Sequence, residues 1–575
     1  MADAILGIDL GTTNSLVGVV DSGFPILLAD ADGSRLTPSV VHYAEDGQIL
    51  VGENARRMRV LHSDVTVASV KRQMGRRGSM AVGGRELTPE EVSAEIIKHL
   101  KAVAEGAMGE VFEKAVITVP AYFNDSQRAA TRRAGELAGL EVVRILSEPT
   151  AAALAYGLDK LEERSKVAVY DFGGGTFDVS VLDLNDGVFQ VLATDGDTSL
   201  GGDDLDMELA GDLYFKAEGA GLGDAPPEVR ERFLGAARAA KEALSSEGEC
   251  AVRIPFYQDG RSFEYELSRA EFETLARPII ERTRQHCRSA LAASGVGAGD
   301  LDAVVLVGGS TRVPLVRSLA AEVFGREPDI SQNPDEAVAR GAVIQAGVLS
   351  GALREMVLLD VTPLSLGIET FGGLMNVIIP RNTTIPVKRG ELFTNAAAGQ
   401  REMKIQVLQG EREMARDNWA LGEFGLEFEP GAKGSARVGV QFSLDADGIL
   451  SVLARDTVTG EERVLEIASA AVDVEDQRVE AMVSESVEHA FEDMNERVWT
   501  EARMKSDELL PAVAEALDLA GDALDEAERS QIGGCVRAVE AALAGGAASA
   551  LKRANAELDS ATEHLAAVLV ERALG

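Results

Sequence analysis

Apolar and polar positions follow three successive patterns along the chain. Up to about residue 351, short apolar runs at residues 114–119 and 303–307 alternate with helical patterns at residues 127–138 and 147–156. Strands that alternate with helices are typical of α/β domains. We therefore predict an α/β domain in the first part of the chain.

The second pattern runs from residue 362 to about residue 467. Short alternating runs, at residues 403–408 and 437–442 for example, are separated by turn clusters at residues 429–431 and 445–448. Period-two alternation between turns predicts a compact all-β unit.

The third pattern has the periodicity of α-helices. Asp473 is suited to be the N-cap of a helix over residues 474–510, and Pro511 is expected to end or kink that helix. More helices follow, and residues 566–574 still show a helical pattern. The predicted order is therefore α/β, then β, then α.

Two segments of the α/β region resemble each other. Residues 5–20 (ILGIDLGTTNSLVGVV) and 167–182 (VAVYDFGGGTFDVSVL) each show an apolar strand, a Gly/Thr turn opened by an aspartate, and a second strand. One such hairpin would more often be an ordinary glycine turn. Two copies in the same order predict an internally duplicated, two-lobed domain whose turns face each other across a cleft.

Turns of this composition suit a polyphosphate. Gly and Thr present backbone N–H groups and hydroxyls to phosphate oxygens without obstruction. Mg²⁺ accompanies a nucleoside triphosphate and is held through carboxylates, for which Asp9 and Asp171 stand one in each hairpin. Neither turn is a Walker loop, so a clamp of two hairpins is preferred. Residues 307–312 (VGGSTR) could place bare backbone and a guanidinium against an adenine ring.

Composition narrows the classes of function. The 575 residues include 56 basic and 94 acidic side chains, giving a net charge of −38, which argues against a general nucleic-acid binder. The hydrophobic fraction of 46% is that of a globular protein. No secretory signal or membrane-spanning run is readable, so a cytoplasmic protein is expected. The three cysteines are far apart and suggest neither a disulfide framework nor a metal pair.

Five motifs together resemble the signature set of the seventy-kilodalton heat-shock chaperone family, in its bacterial DnaK type. They lie at residues 8–15 (IDLGTTNS), 117–123 (ITVPAYF), 147–153 (SEPTAAA), 171–178 (DFGGGTFD) and 307–312 (VGGSTR). The similarity continues through residues 360–367 (DVTPLSLG) and 381–386 (RNTTIP), and weakens after about Glu475. Such a collinear set is far more specific than any single glycine motif.

The resemblance implies a multidomain protein: an α/β actin-like two-lobed ATPase domain, a β-sandwich peptide-binding domain and an α-helical lid. The matching boundaries are 1–354 for the nucleotide-binding domain, 355–362 for the interdomain linker, 363–472 for the sandwich and 473–575 for the lid. The implied function is that of an ATP-hydrolysing chaperone. It would bind exposed apolar segments of unfolded or partly folded proteins, with affinity switched by ATP binding and hydrolysis.

Matching positions carry the family's roles onto this chain. The implied catalytic residues are Lys71, Glu148, Asp171 and Thr176, with Lys71 helping to place the attacking water. On its own, a lysine in a basic run would be a solvated side chain. The implied metal residues are Asp9 and Asp171 for Mg²⁺, through waters, and Asp178 with Asp9 for K⁺. The implied ATP and ADP contacts are Gly11, Thr12, Thr13, Asn14, Gly173, Gly174, Gly175, Thr176, Gly201, Gly202, Lys241, Ser245, Gly308, Gly309, Ser310, Arg312 and Asp335.

The resemblance also implies coupling between domains. Residues 357–360 (VLLD), which composition alone would assign to a buried strand, match a linker that docks in one nucleotide state and is released in the other. The implied coupling residues are Pro120, Arg128, Arg144, Leu358, Leu359 and Asp360. The implied peptide groove is lined by Ile368, Phe371, Phe393, Ala396, Met403 and Ile405, which could equally be plain sandwich core.

Three features depart from the DnaK pattern. Arg238 stands where an acid is usual, so we expect a weaker grip on the ribose and weaker nucleotide affinity than in general chaperones. Phe371 replaces the usual methionine of the arch over the peptide, and its stiff ring should change which side chains fit. The connection over residues 74–87 is short, which should affect an exchange factor more than hydrolysis.

The implied partners are extended apolar client peptides, a J-domain cochaperone and a GrpE-type exchange factor, with no nucleic acid, no membrane and a mainly monomeric chain. An alternative is an HscA-type chaperone dedicated to an iron–sulfur scaffold protein, because residues 39–43, 200–206 and 379–382 look closer to that branch. A sugar kinase or an actin-like filament would explain the hairpins but not residues 360–575. Residues 471–575 carry 23 acidic and 9 basic side chains, so the lid should favour clients with basic residues beside their apolar core.

Overall fold

The computed structural model describes residues 4–76, 78–157, 164–185, 187–353, 356–466 and 490–574. The chain forms two compact units. The first comprises Met1–Leu366, Ile378–Lys404 and Leu421–Glu480, and the second comprises Gly367–Val377, Ile405–Ala420 and Ala481–Gly575.

The first lobe of the first unit is built on one mixed sheet. Its order is β11-β10-β1-β2-β3, with β4 also paired to β2, and two small sheets, β6-β5-β7 and β8-β9, lie beside it. The strands are β1 Ile5–Asp9, β2 Asn14–Asp21, β3 Phe24–Leu27, β4 Thr37–Pro38, β5 Val40–Tyr43, β6 Ile49–Val51, β7 Thr66–Ala68, β8 Met80–Val82, β9 Arg85–Leu87, β10 Lys114–Val119 and β11 Glu141–Ser147. The helices are α1 Glu53–Met58, α2 Pro89–Met108, α3 Asp125–Leu137 and α4 Glu148–Gly157.

The second lobe repeats this plan with longer helices. Its strands are β12 Ser165–Phe172, β13 Phe177–Asn185, β14 Val188–Asp197, β15 Glu249–Gln258, β16 Arg261–Ser268 and β17 Ala303–Val307. Its helices are α5 Gly202–Glu218, α6 Pro227–Leu244, α7 Arg269–Ser294, α8 Pro314–Phe324 and α9 Ala337–Leu349. The predicted strands at 114–119 and 303–307 are confirmed, as are the helices within one to two residues.

The pairing pattern confirms the predicted duplication. In the first lobe β1 pairs in parallel with β10 and antiparallel with β2. In the second lobe β12 pairs in parallel with β17 and antiparallel with β13. Helix α9 approaches α4 closely at Gly341, where a Cβ atom would overlap the backbone of Ala151. The two lobes therefore join through bare backbone, which only glycine permits at this distance.

The linker segment is a strand. Strand β18, Val357–Val361, extends the second sheet by pairing in parallel with β14 and antiparallel with the short strand β21, Thr384–Ile385. Val357 is 47% exposed and Val361 is buried. The strand that composition alone predicts for residues 357–360 is therefore confirmed, and the docking linker stays a prediction.

The predicted all-β region is confirmed. Its strands are β19 Leu366–Thr370, β20 Leu374–Ile379, β22 Val387–Phe393, β23 Glu402–Gln409, β24 Trp419–Glu427, β25 Val438–Leu444, β26 Leu450–Asp456 and β27 Glu462–Glu466. They form sheets of order β20-β19-β23-β24 and β22-β25-β26-β27. Alternate residues of β25 and β26 are buried, because successive side chains of a strand point to opposite faces.

The second unit ends in four helices. These are α10 Ala490–Ala520, α11 Glu526–Gly545, α12 Ala548–Ala561 and α13 Glu563–Leu574. The predicted helix end at Pro511 is wrong, because α10 continues through it to Ala520. Pro511 is exposed, so water can satisfy the carbonyl that loses its N–H partner. The predicted N-cap at Asp473 lies outside the described residues.

Within the described ranges, no helix is both long and apolar enough to cross a bilayer.

Candidate functional site

The two glycine hairpins face each other, as the duplication predicts. Gly174 of the β12–β13 turn lies so close to Thr13 of the β1–β2 turn that a Cβ atom would overlap the Thr13 hydroxyl. Gly201, at the start of α5, packs against the Gly174 backbone, and the Gly202 N–H donates to the Gly173 carbonyl at 3.0 Å. Three backbone segments without side chains thus converge on one place.

A cavity of about 430 Å³ opens between these turns. Most of the predicted nucleotide contacts line it, together with Lys71, Glu148, Asp9 and Asp171. The contacts that line it are Gly11, Thr12, Thr13, Asn14, Gly173, Gly174, Thr176, Lys241, Ser245, Gly308, Gly309, Ser310, Arg312 and Asp335. Four residues predicted for the nucleotide and metal site do not line the cavity: Gly175, Gly201, Gly202 and, on β13, Asp178.

Lys71 is a buried cation rather than a solvated one. It lies in a short 3₁₀ turn, Val70–Gln73, that follows Ser69 in the left-handed region at φ 53°. Only 3% of Lys71 is exposed, and its ammonium group forms an ion pair with Glu148 at the start of α4. A buried lysine is stable only when paired, so Glu148 fixes its position at the cavity.

Three buried aspartates at the cavity have raised pKa values. Burial, followed by the charge of Glu148, raises the pKa of Asp178 to about 8. The same two causes raise the pKa of Asp9, whose Oδ1 accepts from the Thr118 hydroxyl at 2.9 Å. The pKa of Asp171 is raised further, by burial and then by Glu148, Asp178 and Asp9. Four buried acids thus lie near Lys71, and a second buried cation, Arg128, acts on Asp178.

This imbalance fits a bound metal ion and phosphates. Asp171 Oδ2, Asp178 Oδ2 and Thr13 Oγ1 are buried and have no hydrogen-bond partner within the described part of the chain. Buried oxygens of this kind favour a cation or a donor that completes their bonding. Among the described residues no three acidic, histidine or cysteine side chains form a metal cage. The donor set therefore suits Mg²⁺, which keeps several waters and uses few carboxylates.

Arg238, which replaces the usual acid, lies at the edge of the cavity and is paired with two aspartates. Its Nε donates to Asp206 at 2.9 Å and its Nη2 donates to Asp203 at 2.8 Å. Lys241 lies 2.7 Å from the other oxygen of Asp206 and donates to the Gly202 carbonyl at 2.9 Å. The guanidinium of Arg238 is therefore held by two carboxylates of the first turns of α5.

The far end of the cavity carries Arg312. Its Nη2 lies 2.5 Å from Asp335 and donates to Asn333 at 3.0 Å. The hydroxyl of Ser310 donates to the Gly173 carbonyl at 2.8 Å, which ties this end to the second hairpin.

Polar contacts that sequence reasoning missed cross the cleft above the cavity. Arg59 pairs with Glu231 at 2.9 Å, Arg72 pairs with Asp204 at 2.7 Å, and the Ser69 hydroxyl donates to Asp203 at 2.8 Å. The partners are 132 to 172 residues apart in the chain. No local pattern marks such pairs, since their partners meet only in the folded cleft.

A family model described as Hsp70 protein matches residues 5–571. The chain belongs to the Hsp70 family. Members of this family are chaperones and ATPases that bind ATP or ADP with Mg²⁺, client peptides and cochaperones. The cavity between the two hairpins is lined by most of the residues that the sequence predicts as nucleotide contacts.

The residues matched to Hsp70 coupling lie on two routes from this cavity. On the first, the Asp360 carboxylate of β18 accepts from the Ser147 hydroxyl at 2.6 Å, and Ser147 directly precedes Glu148. Leu358 and Leu359 of β18 are half-buried opposite Phe189 and Gln190 of β14.

The second route passes through Arg128. The Tyr122 N–H donates to Asp178 at 3.0 Å, next to the buried Pro120 and Ala121. Arg128 donates from Nη2 to the Ala121 carbonyl at 3.1 Å and from Nη1 to the Asp447 carbonyl at 3.2 Å. The residues next to Asp178 are thereby connected to the turn between β25 and β26.

Asp447 makes contacts that the sequence did not reveal. Its carboxylate pairs with Arg132, lies 3.3 Å from Arg144 Nε, and accepts from the Ile145 N–H at 3.1 Å. Burial raises the pKa of Asp447, and the neighbouring arginines oppose that effect. The sequence indicates only a turn at this residue, because Asp-x-Asp-Gly is an ordinary turn sequence.

The six residues matched to the Hsp70 peptide groove differ in exposure. Ile368 and Ile405 are buried, Phe393 and Met403 are partly exposed, Ala396 is exposed, and Phe371 is 62% exposed. Phe393, Ala396 and Met403 belong to the first compact unit, and Ile368, Phe371 and Ile405 belong to the second.

Proposed function

We propose that this chain is an ATP-dependent chaperone that hydrolyses ATP and uses the cycle to switch its affinity for exposed apolar peptide segments. The observation that carries the proposal is the short path from linker to cavity. Asp360 of the linker strand binds Ser147, Ser147 is followed by Glu148, and Glu148 holds Lys71. A change at the phosphates would therefore reach the linker through two contacts.

In this proposal Lys71 stabilises charge on the terminal phosphate and helps to place the attacking water. Its ammonium group is buried, where an electrostatic contact is stronger than in water. Glu148 orients Lys71, while Thr12, Thr13 and Thr176 offer hydroxyls to the phosphates. Such chemistry consists mostly of positioning and charge neutralisation.

Asp9 and Asp171 would hold Mg²⁺ through waters, and Asp178 with Asp9 would favour K⁺. The unpartnered oxygens of Asp171 and Asp178 support this assignment. Mg²⁺, when bound, supplies neutralisation of the phosphate charge. Gly201, Gly202, Lys241, Ser245, Gly308, Gly309, Arg312 and Asp335 would position the rest of the nucleotide.

For the client, we propose that the peptide contacts Ile368, Phe371, Phe393, Ala396, Met403 and Ile405. The exposure of Phe371 and Ala396 supports a surface role for these two residues. Peptides that bind as an added strand gain main-chain hydrogen bonds and a few pockets, so sequence preference is loose. This favours a general client range over a single dedicated client.

We further propose a J-domain cochaperone and a GrpE-type exchange factor as partners, and the cytoplasm as the location. The residues Arg144 and Asp360, which match J-domain and linker positions, lie near Asp447 and Ser147 respectively. This proximity supports a cochaperone that acts where the linker meets the ATPase lobes.

The test is steady-state ATP hydrolysis with and without a J-domain protein and an apolar peptide. We expect each to stimulate the wild type, and Asp360→Asn to lose most of that stimulation. Asp46→Asn, in an exposed Asp-Gly turn of the first lobe, is the matched control. Absence of stimulation in the wild type would overturn the proposal.

Client range is tested separately by peptide arrays. Broad capture of apolar peptides supports the general chaperone. Strong selectivity for a Leu-Pro-Pro-Val-Lys peptide would instead support the iron–sulfur scaffold chaperone.

A further inference from the structure

One buried carboxylate is shared by two side chains from distant parts of the chain. Asp195 lies on β14 with its side chain 2% exposed. His286 of α7 places Nδ1 2.7 Å from Asp195 Oδ1, and Arg381 donates from Nη2 to Asp195 Oδ2 at 3.1 Å. Arg381 belongs to the loop between β20 and β21, outside the ATPase lobes.

The same loop holds β14 at the adjacent residue. The Thr194 N–H donates to Asn382 Oδ1 at 3.2 Å, and Asn382 adopts a left-handed backbone at φ 58°. Strand β14 is also the strand with which the linker strand β18 pairs. Two adjacent side chains therefore bind this loop to the strand that receives the linker.

The other ionisable groups near Asp195 and His286 are paired or neutral. Asp197 on β14 pairs with Arg282 of α7 at 2.7 Å, and the ring of Phe177 lies 5.9 Å from the His286 ring. Cys287 is buried next to His286, and burial followed by the charge of Asp195 raises its pKa, so it stays neutral. The charge of His286 also acts on Asp197, but Arg282 already supplies that carboxylate with a cation. Among these neighbouring groups of the described chain, only Asp195 is contacted by both His286 and Arg381.

We propose that His286 is a proton-sensitive switch for docking, because a proton on its imidazole and the guanidinium of Arg381 compete for Asp195. The inference rests on the proposed function, in that it assumes release of the loop and linker during the nucleotide cycle.

The charges determine the direction in which pH shifts docking. When Arg381 is bound and His286 is neutral, the buried carboxylate has one cationic partner. If Arg381 leaves, Asp195 stays buried without a cation, which is unfavourable, so docking is favoured. A proton on His286 supplies that cation and is repelled by Arg381. Histidine changes charge between pH 5 and 8, so acidification within this range favours the released state.

The experiment is hydrogen–deuterium exchange of the full-length protein with Mg²⁺ and excess ATP, near pH 8 and near pH 6. The readout is ATP-induced protection of residues 357–361, corrected for the intrinsic pH dependence of exchange. We expect protection in the wild type to fall at least about fivefold on acidification, which is the lower end of a typical coupling between two sites. His286→Gln should keep its protection, since glutamine can bond to Asp195 but cannot gain a proton.

Two further variants keep the inference testable. Arg381→Gln should dock less well at the higher pH and lose most of the pH response. His564→Gln removes an exposed histidine that is paired with Glu528, and should respond as the wild type does. Equal pH responses of wild type and His286→Gln would overturn the inference. Absence of ATP-induced protection at either pH would overturn the proposed function itself, and the switch with it.

Discussion

The ammonium group of Lys71 and the carboxylate of Glu148 form an ion pair whose side chains are only 4% and 10% exposed. Three buried aspartates with raised pKa values, Asp9, Asp171 and Asp178, lie around this pair. We therefore propose two roles for the pair, since it fixes the position of a cation for catalysis and offsets part of a buried acidic cluster.

Substituting Lys71 with Met should separate these roles. Hydrolysis should fall about 10²- to 10³-fold, the usual cost of removing one group that stabilises transition-state charge. Single-turnover hydrolysis with bound ATP measures this. Because Glu148 would lose its cation, thermal stability without nucleotide should also fall. The double variant Lys71→Met/Glu148→Gln should regain stability but not hydrolysis. Recovery of hydrolysis in the double variant would contradict a catalytic role for Lys71.

The raised pKa values of the acidic cluster predict how stability depends on pH. Asp9, Asp171 and Asp178 bind protons more tightly when folded than when unfolded, so their favourable contribution is complete at low pH. This contribution to stability is lost as the pH rises, and for Asp178 the loss continues up to its folded-state pKa of about 8. The melting temperature of protein freed of nucleotide and metal should therefore decline from pH 6 to pH 9. Asp178→Asn should flatten the decline, as should Mg²⁺ with ADP. A flat wild-type profile would rule out this explanation.

Arg238 permits a test in which sequence and structure predict opposite results. By family pattern alone, Arg238→Glu restores the usual acid and should tighten ADP binding. In the structure, that glutamate would lie beside Asp203 and Asp206, which now bind the guanidinium. We expect weaker ADP binding and a lower melting temperature, because about 1–3 kcal/mol of interaction free energy is lost. Calorimetric titration with ADP measures the affinity, and Arg238→Gln serves as the neutral comparison.

The contacts across the cleft should control how fast nucleotide leaves. Glu231→Arg places a positive charge opposite Arg59 and should speed ADP dissociation about two- to tenfold, the range expected for a partly exposed ion pair. Arg59→Glu/Glu231→Arg should restore the slower rate. Glu53→Arg, which disturbs an exposed pair within one lobe, is the control. Stopped-flow displacement of fluorescent ADP gives the rates.

Asp447 should govern ATP-triggered peptide release. Asp447→Asn keeps the shape of the turn but removes the charge that Arg132 and Arg144 bind, so docking should weaken by about 1–3 kcal/mol. The measurement is the release rate of a labelled peptide after ATP addition, which should fall relative to the wild type. Release at the wild-type rate would show that this turn does not transmit the signal.

Much of the fold could be predicted because local periodicity reflects burial. The strands at 114–119 and 303–307 and the alternation in β25 and β26 follow directly from which face is buried. The helix end predicted at Pro511 is wrong, because a proline removes only one backbone hydrogen bond and this one lies at an exposed position of a helix that continues to Ala520. The alternative of a kink stays a prediction.

Within the site, the sequence alone determined the chemistry of the two hairpins, because glycines, threonines and one aspartate per turn are local features. It also determined the duplication, since a repeated strand and turn pattern requires a repeated structure. Only the tertiary structure decided which charges meet. Lys71 finds Glu148, Arg238 finds Asp203 and Asp206, Asp447 finds Arg132, and Asp195 finds both His286 and Arg381. Each pair joins residues far apart in the chain, and the strength of each depends on burial, which a sequence position does not specify.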